Sequence, residues 1–266
     1  MGYQALYTAS TGMYANEFKL DVIANNMANA GTTAFKRSRP NFEDLYYRHL
    51  KLPGTRDLQG NLTAVGTAVG LGTKVQSTQI DFQQGELLAT GAPLDVAIVG
   101  DGFFTVTDGN QTLYTRAGNF SKNADGTLVM ASANTGYYLI PQVTIPNDAT
   151  EIAISNDGQV SVRVPNQQNL TQLAQLQMVR FVNPQGLLQV GQNCYAATDA
   201  SGQPLTGNPG TNGLGTMQQG FLELSNVEPV KELVDLISTQ RNFELNSQVV
   251  QAADQLLQAT ANLRRY

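Results

Sequence analysis

The side chains best suited to catalysis or metal binding are scarce in this chain. His49 is the only histidine and Cys194 the only cysteine among 266 residues. A zinc or redox centre needs several such ligands, and a nucleophile needs a base beside it. One of each supplies neither, and a lone cysteine excludes an intramolecular disulfide. His49 follows Tyr46-Tyr47-Arg48 and is expected near the end of a helical segment, in a surface or packing role. Cys194 lies in a β-like run, where a small buried hydrophobe is expected. Gly100-Asp101-Gly102 imitates part of a dinucleotide fingerprint, but those glycines must open a helix that holds pyrophosphate. Here Phe103-Phe104-Thr105-Val106-Thr107 follows, a strand pattern, so a hairpin turn is expected instead. The reading is a non-enzyme: no catalytic residue, no metal site and no cofactor.

Bulk properties agree. Charged residues make up 14% and hydrophobic ones 41%, against about 25% charged in an average domain. Gln, Asn and Thr therefore supply much of the polar surface, which suits close packing of subunits. A net charge of −5 lacks the basic footprint of a nucleic-acid binder, and the patch Lys36, Arg37, Arg39, Arg48 and Lys51 reads as a solvated face. The segment MGYQALYTASTGMYANEFKL has no early basic residue and no continuous apolar run, so no cleavable secretory signal is expected. No window approaches a membrane span.

The elements must then be read from glycine and from periodicity. Val227 to Tyr266 contains no Gly, and Tyr3 to Asn29 only Gly12, while Asp-Gly turns crowd the middle. The expected class is α+β: long N- and C-terminal helices packing as a coiled-coil-like pair around a central antiparallel β-rich body. In the first helix Leu6, Ala9, Met13, Leu20, Ile23 and Met27 form a heptad-type seam with Asn16 in its gap, and Asn29 and Gly31 supply a stop. The last helix is expected to open at Ser225 or Asn226 with Pro229 in its first turn. Its main stripe is Val230, Val234, Ile237, Leu245, Val249, Ala252, Leu256 and Leu263; a second flank carries Leu233, Leu236, Phe243, Val250 and Leu257. At about 37 residues it would span about 55 Å. Asn16, Gln240 and Asn246 are candidates for setting register. Strands are expected at Leu94–Val99, Phe103–Thr107, Gln111–Arg116, Thr127–Met130, Tyr137–Ile140, Glu151–Ser155, Gln159–Val164 and Leu173–Val182. This divides the chain into a helical assembly domain (1–35 and 226–266), an extended connecting segment (36–72) and a β-rich body (73–225) of one or two subregions.

Specific motifs add a resemblance. Ala24-Asn25-Asn26-Met27-Ala28-Asn29, then Thr32-Thr33-Ala34-Phe35-Lys36-Arg37, resembles the N-terminal signature of bacterial flagellar basal-body rod and hook proteins, with Ala34 where that signature has Gly. The likeness continues through Phe82–Leu87, Thr90–Ile98, Gly100–Phe104, Tyr114–Gly118, Asp125–Val129, Gln219–Val227 and Glu232–Ile237. It ends in Thr239-Gln240-Arg241-Asn242-Phe243-Glu244, so it covers almost the whole chain in order. The motif residues are Asn25, Asn26, Asn29, Phe35, Lys36, Arg37, Gln240 and Arg241, and the chain is most like the distal-rod members.

The resemblance implies a structural subunit of the distal rod, polymerising helically into a tubular drive shaft that carries torque from motor to hook. A proximal-rod or hook-type subunit is the alternative. It also implies a homopolymer that meets other rod proteins, the hook protein, the surrounding P- and L-ring proteins and the export apparatus. The location would be the basal body across the periplasm, after export without a cleaved signal. It implies that the terminal helices line the inner tube, and that the connection after the first helix helps to make the rod straight and stiff. The assembly interface is expected at Leu6, Met13, Leu20, Ile23, Met27, Val230, Val234, Ile237, Leu245, Val249, Leu256 and Leu263.

Overall fold

A computed structural model describes residues 2–56, 62, 64–132, 135–165 and 169–263, with the side chains of 2, 3, 261 and 263 excepted. Leu263, expected in the last-helix stripe, therefore has its side chain outside the described set. The fold is α+β with two terminal helices and a β-rich middle, and it divides into two compact units.

The first unit comprises residues 1–28, 38–80 and 228–266. Helix α1 (Gly2–Ala28) and helix α2 (Pro229–Leu263) pack against each other. Helix α2 has 35 residues and is about 52 Å long at 1.5 Å per residue. It does not open at Ser225 or Asn226. Pro229 occupies the first helical position, where its missing N–H costs nothing, and Glu232 N donates the first helical bond to Glu228 O at 3.1 Å.

The segment 36–72, expected as an extended connection, is largely a two-stranded ribbon. Ser38–Asp44 pairs antiparallel with Thr73–Ile80, with a bulge at Asn41/Phe42. Tyr47–Lys51 pairs with Thr67–Gly70. Leu45 N donates to Gly72 O and Leu71 N to Tyr46 O, joining the two ladders. His49 lies on an exposed strand here and not at a helix end. A ribbon of two strands is marginal alone, and α1 packs on it. The two come close at Gly72, with φ +116, where a Cβ would clash with Thr11 Oγ1.

The second unit comprises residues 29–37 and 81–227. Its main sheet includes Phe103–Thr107, Thr112–Thr115, Phe120–Lys122, Leu128–Met130, Tyr138–Ile140 and Cys194–Ala196. Glu151–Ile154, Gln159–Arg163 and Thr171–Gln175 form a second sheet. The core holds Val96, Ile98, Phe104, Val106, Leu128, Leu139, Ile145, Val160, Met178 and Met217, all buried. Seven of the expected strands are present with ends trimmed by a residue or two. The eighth, Leu173–Val182, is two strands, Thr171–Gln175 and Met178–Arg180, that enter different sheets.

Asp108-Gly109, Asp125-Gly126 and Asp157-Gly158 close hairpins between paired strands. Gly100-Asp101-Gly102 does not. Val96–Val99 pairs with Thr216–Gln219, while Phe103–Thr107 belongs to the main sheet, so this triplet is a corner between sheets.

The geometry at Gly72 yields one expected outcome. Gly72→Ala meets both an unfavourable φ and the Thr11 hydroxyl, and should destabilise the first unit by about 1–3 kcal/mol. Thermal unfolding of the purified chain, compared with an exposed control such as Gly54→Ala that has open space and a φ of +77, helps to separate the steric part.

Candidate assembly surface

Helices α1 and α2 meet through side chains that recur every seventh residue of α2: Glu232, Thr239, Asn246 and Ala253. Glu232, Thr239 and Ala253 are buried, and Asn246 is half-buried. Asn26 Nδ2 donates to Glu232 Oε2 at 3.3 Å. At the other end Gly12 faces Asn246, whose Nδ2 would stand 3.0 Å from a Cβ at that position. Asn26 lies fourteen residues after Gly12, and Glu232 fourteen before Asn246, so the helices run antiparallel. Asn26 also receives Ser38 N on its Oδ1 (3.0 Å) and donates to Ser38 O (2.8 Å), tying the ribbon to α1. Asn26 is thus the junction of three elements.

The seam expected on α1 does face inward: Ala9 and Ile23 are buried, and Leu6, Met13, Leu20 and Met27 are half-buried. On α2 the less regular flank is divided: Leu236, Val250 and Leu257 are half-buried, while Leu233 and Phe243 are exposed. The main stripe is exposed: Val230 at 75%, Val234 at 58%, Ile237 at 45%, Leu245 at 58%, Val249 at 47% and Leu256 at 69%. An exposed apolar stripe of this kind, interrupted by Arg241, marks a contact surface. Glycine and alanine on α1 allow close helix approach, while Asn26–Glu232 fixes the register, so polar and small residues win the inner side.

An open cleft of about 780 Å³ lies beside this pair, lined by Gln4, Thr8, Arg48, Leu50, Val69 and Val249 among others. Among the described residues no group of three or more His, Cys, Asp or Glu side chains is placed to hold a metal ion. Cys194 is buried, and burial pushes its thiol up to about 11.

The second unit contains a buried ionic cluster. Glu223 Oε1 accepts from Lys36 Nζ at 2.7 Å and from Gly85 N at 3.0 Å, and Oε2 accepts from Arg116 Nε at 2.9 Å. All three charged side chains are 3% exposed or less. The one excess positive charge is spread over backbone carbonyls. Lys36 donates to Gln83 O (2.6 Å), and Arg116 donates to Gly102 O and Gly100 O (3.0 Å each), which pins the sheet corner. Burial pulls the Lys36 ammonium below its ordinary value, against the pull of Glu223. Burial alone would raise Glu223, but Arg116 and Lys36 together hold its carboxyl below the ordinary range. Lys36 is therefore no part of a solvated basic patch.

The family comparisons fall on these same elements. Residues 6–36 match the model described as flagella basal body rod protein, 97–162 the flagellar hook protein FlgE/F/G D1 domain, and 218–263 the flagellar basal body rod FlgEFG protein C-terminal. The flagellar basal-body rod protein FlgG of Agrobacterium fabrum is 44% identical over 95% of this chain and 96% of its own. The chain belongs to the FlgG family of flagellar basal-body rod proteins. FlgG of Borreliella burgdorferi is 40% identical over 98% of the chain and 99% of its own length. The hook protein FlgE of Salmonella typhimurium is 33% identical, over 71% of the chain and only 44% of its own length.

In this FlgG-family chain the signature residues have separate structural tasks. Asn26 joins α1, α2 and the ribbon as above. Asn29 closes the turn after α1, accepting Thr32 N through its carbonyl and the Thr32 hydroxyl through Oδ1, each at 3.1 Å. Ala34, standing for Gly, still takes the left-handed φ of +56 and is buried, a conformation that costs an L-residue roughly 1–2 kcal/mol. Phe35 is half-buried, and Lys36 enters the ionic cluster. Arg37 N donates to Asn226 Oδ1 at 2.7 Å, so Asn226 anchors the turn and does not cap α2. Asn25, Gln240 and Arg241 are exposed, so Gln240 sets no register inside the chain. Glu223 and Arg116 stood in recognised motifs, yet nothing local in sequence paired them with Lys36.

Glu223→Gln would leave two buried cations without their counter-ion and should cost about 3–5 kcal/mol. Because the folded carboxyl titrates below an ordinary glutamate, it contributes stability above about pH 4.5 that is lost as pH falls through the folded value. Acid unfolding of the Gln variant should accordingly show a shallower slope below that pH than the unsubstituted chain, measured by circular dichroism.

Proposed function

We infer that this chain is a structural subunit of the bacterial flagellar basal-body distal rod, polymerising helically into the tubular drive shaft that carries torque from motor to hook. The observation that carries the reading is the α2 stripe left outside a helix pair already closed by polar and small residues. Covering such side chains is worth roughly 25 cal/mol per Å², or about 1 kcal/mol for each half-exposed valine or leucine. A heterologous contact between copies that does not close produces a helical tube. The assembly domain is the pair of terminal helices; the interface is the α2 stripe, with the α1 seam as its support. The ribbon formed by Ser38–Asp44, Tyr47–Lys51, Thr67–Gly70 and Thr73–Ile80 is the stiffening element beside it.

The distal-rod reading is favoured over the hook-type one because FlgG relatives match end to end, whereas the hook protein matches over less than half its length. Partners on this reading are further copies, other rod proteins, the hook protein, the P- and L-ring proteins and the export apparatus. The rod crosses the periplasm, its subunits exported without signal cleavage, and it performs no catalysis.

Val234→Glu with Leu245→Glu places two charges on the exposed stripe. Each change should move monomer stability by no more than about 0.5 kcal/mol, since neither side chain is buried. Electron microscopy of basal bodies isolated from cells carrying only this variant should show no distal rod. Normal rods built from it would contradict the assignment of the stripe.

A further inference from the structure

The α2 stripe contains one charge. Arg241 falls between Ile237 and Leu245 on the same exposed face and, although the exposed Glu244 stands one turn further on, forms no ion pair among the described residues. Whatever covers the stripe covers Arg241, and a guanidinium removed from water without a carboxylate is strongly disfavoured. The covering surface must present an acid at that height, with apolar or aromatic groups on either side.

Helix α1 has such a face. Tyr7, Ser10, Tyr14, Glu17, Asp21, Ala24 and Ala28 follow one another at steps of three and four and are all exposed. Tyr7 is 56% and Tyr14 64% exposed, unusual for tyrosines with no apolar cover. Glu17 and Asp21 are one turn apart and repel each other, a like-charge pair that destabilises an isolated helix. Neither has an ion-pair partner among the described residues. Each helix thus carries an uncompensated charge on its outer face, and the signs are opposite.

Register makes the match specific. The antiparallel pairing that sets Gly12 beside Asn246 and Asn26 beside Glu232 puts Glu17 level with Arg241. At about 100° per residue both outer faces lie roughly opposite the seam. The helix pair is therefore a slab with an acidic, tyrosine-flanked face on one side and an apolar face centred on Arg241 on the other.

We propose that the α2 stripe of one copy packs on the outer face of α1 of a laterally adjacent second copy, with little axial offset, so that Arg241 sits between Glu17 and Asp21 of that neighbour. This rests on the rod-subunit reading and specifies which face meets which. In this arrangement Leu245 lies against Tyr14, and Val234 and Val230 lie against the small Ala24 and Ala28. The contact is head-to-tail: each copy offers both halves and leaves one of each free, so growth does not close at a dimer. The arginine bridges two carboxylates and relieves their mutual repulsion. It also excludes the α2-to-α2 alternative, which would bury two arginines together.

The test uses the full chain as the only subunit of its kind in a flagellated bacterium. Arg241→Glu alone, and Glu17→Arg with Asp21→Arg, should each abolish distal rods in isolated basal bodies, while all three together restore them. Independently, a chain carrying Glu17→Cys and Arg241→Cys should give a ladder of disulfide-linked oligomers on oxidation. Either substitution alone should leave monomers, since Cys194 is buried. No rescue by the triple variant, no ladder, or dimers from Arg241→Cys alone would overturn the proposal while unsubstituted rods still form. Failure of the unsubstituted chain to build any rod would overturn the rod-subunit reading itself, and this contact with it.

Discussion

Helix α2 turns Glu232, Thr239, Asn246 and Ala253 toward α1 and most of its larger aliphatic residues toward solvent, and most of the properties of the first unit descend from that choice. Glu232, Thr239, Asn246 and Ala253 recur at seven residues, the period that keeps one face of a helix against a partner. Asn26 holds this register through its hydrogen bond to Glu232, and two more fasten it to Ser38. A seam of this kind specifies geometry well and removes little apolar surface from water. The aliphatic stripe is the complement: it carries most of the transferable hydrophobic energy and can release it only when another surface arrives. Folding the pair and building a polymer are thereby assigned to different faces of the same helix. Anything that binds the folded pair then stabilises it by mass action.

The second unit solves a different problem. The turn of residues 29–37 carries a left-handed alanine and a lysine that never reaches water. Two cationic side chains share one carboxylate, and the spare cationic hydrogens go to carbonyls at 83, 100 and 102. A buried ionic cluster is a weak source of stability compared with apolar packing, but removing one member is costly. It therefore fixes where the turn and the sheet corner sit, while the surrounding valines, leucines and phenylalanines supply the bulk of the burial.

Much of this was legible in sequence where the signal is local. Glycine distribution located both helices, Asp-Gly pairs located three hairpins, and the short β-type runs located seven strands within a residue or two, while short strands such as Leu188–Gly191, Thr216–Gln219 and Phe221–Glu223 carry too few residues to show a pattern. Thr171–Gln175 and Met178–Arg180 merged into a single expected strand because a change of sheet leaves no periodic mark. The ribbon is not legible because Lys51–Gly72 has no alternation; Thr67–Gly70 is a strand through its pairing with Tyr47–Lys51. Spacing marks both apolar flanks of α2 but not which side faces α1. That depends on Asn26 and Gly12, more than two hundred positions away. Lys36 read as part of a basic surface for the same reason: its partner, Glu223, is distant in the chain.

The central claim is that the α2 stripe is free in the subunit and covered in the rod, whereas the seam is covered in both. Single cysteines at Leu245 or Val249 and at Thr239 or Ala253, probed with a thiol reagent in monomer and in isolated rods, test it directly. Cys194, buried and with its thiol raised to about 11, gives little background. The account predicts rapid modification at 245 and 249 in the monomer, strong protection there in rods, and protection at 239 and 253 throughout. Cysteines at 245 and 249 that remain equally reactive in assembled rods would contradict it.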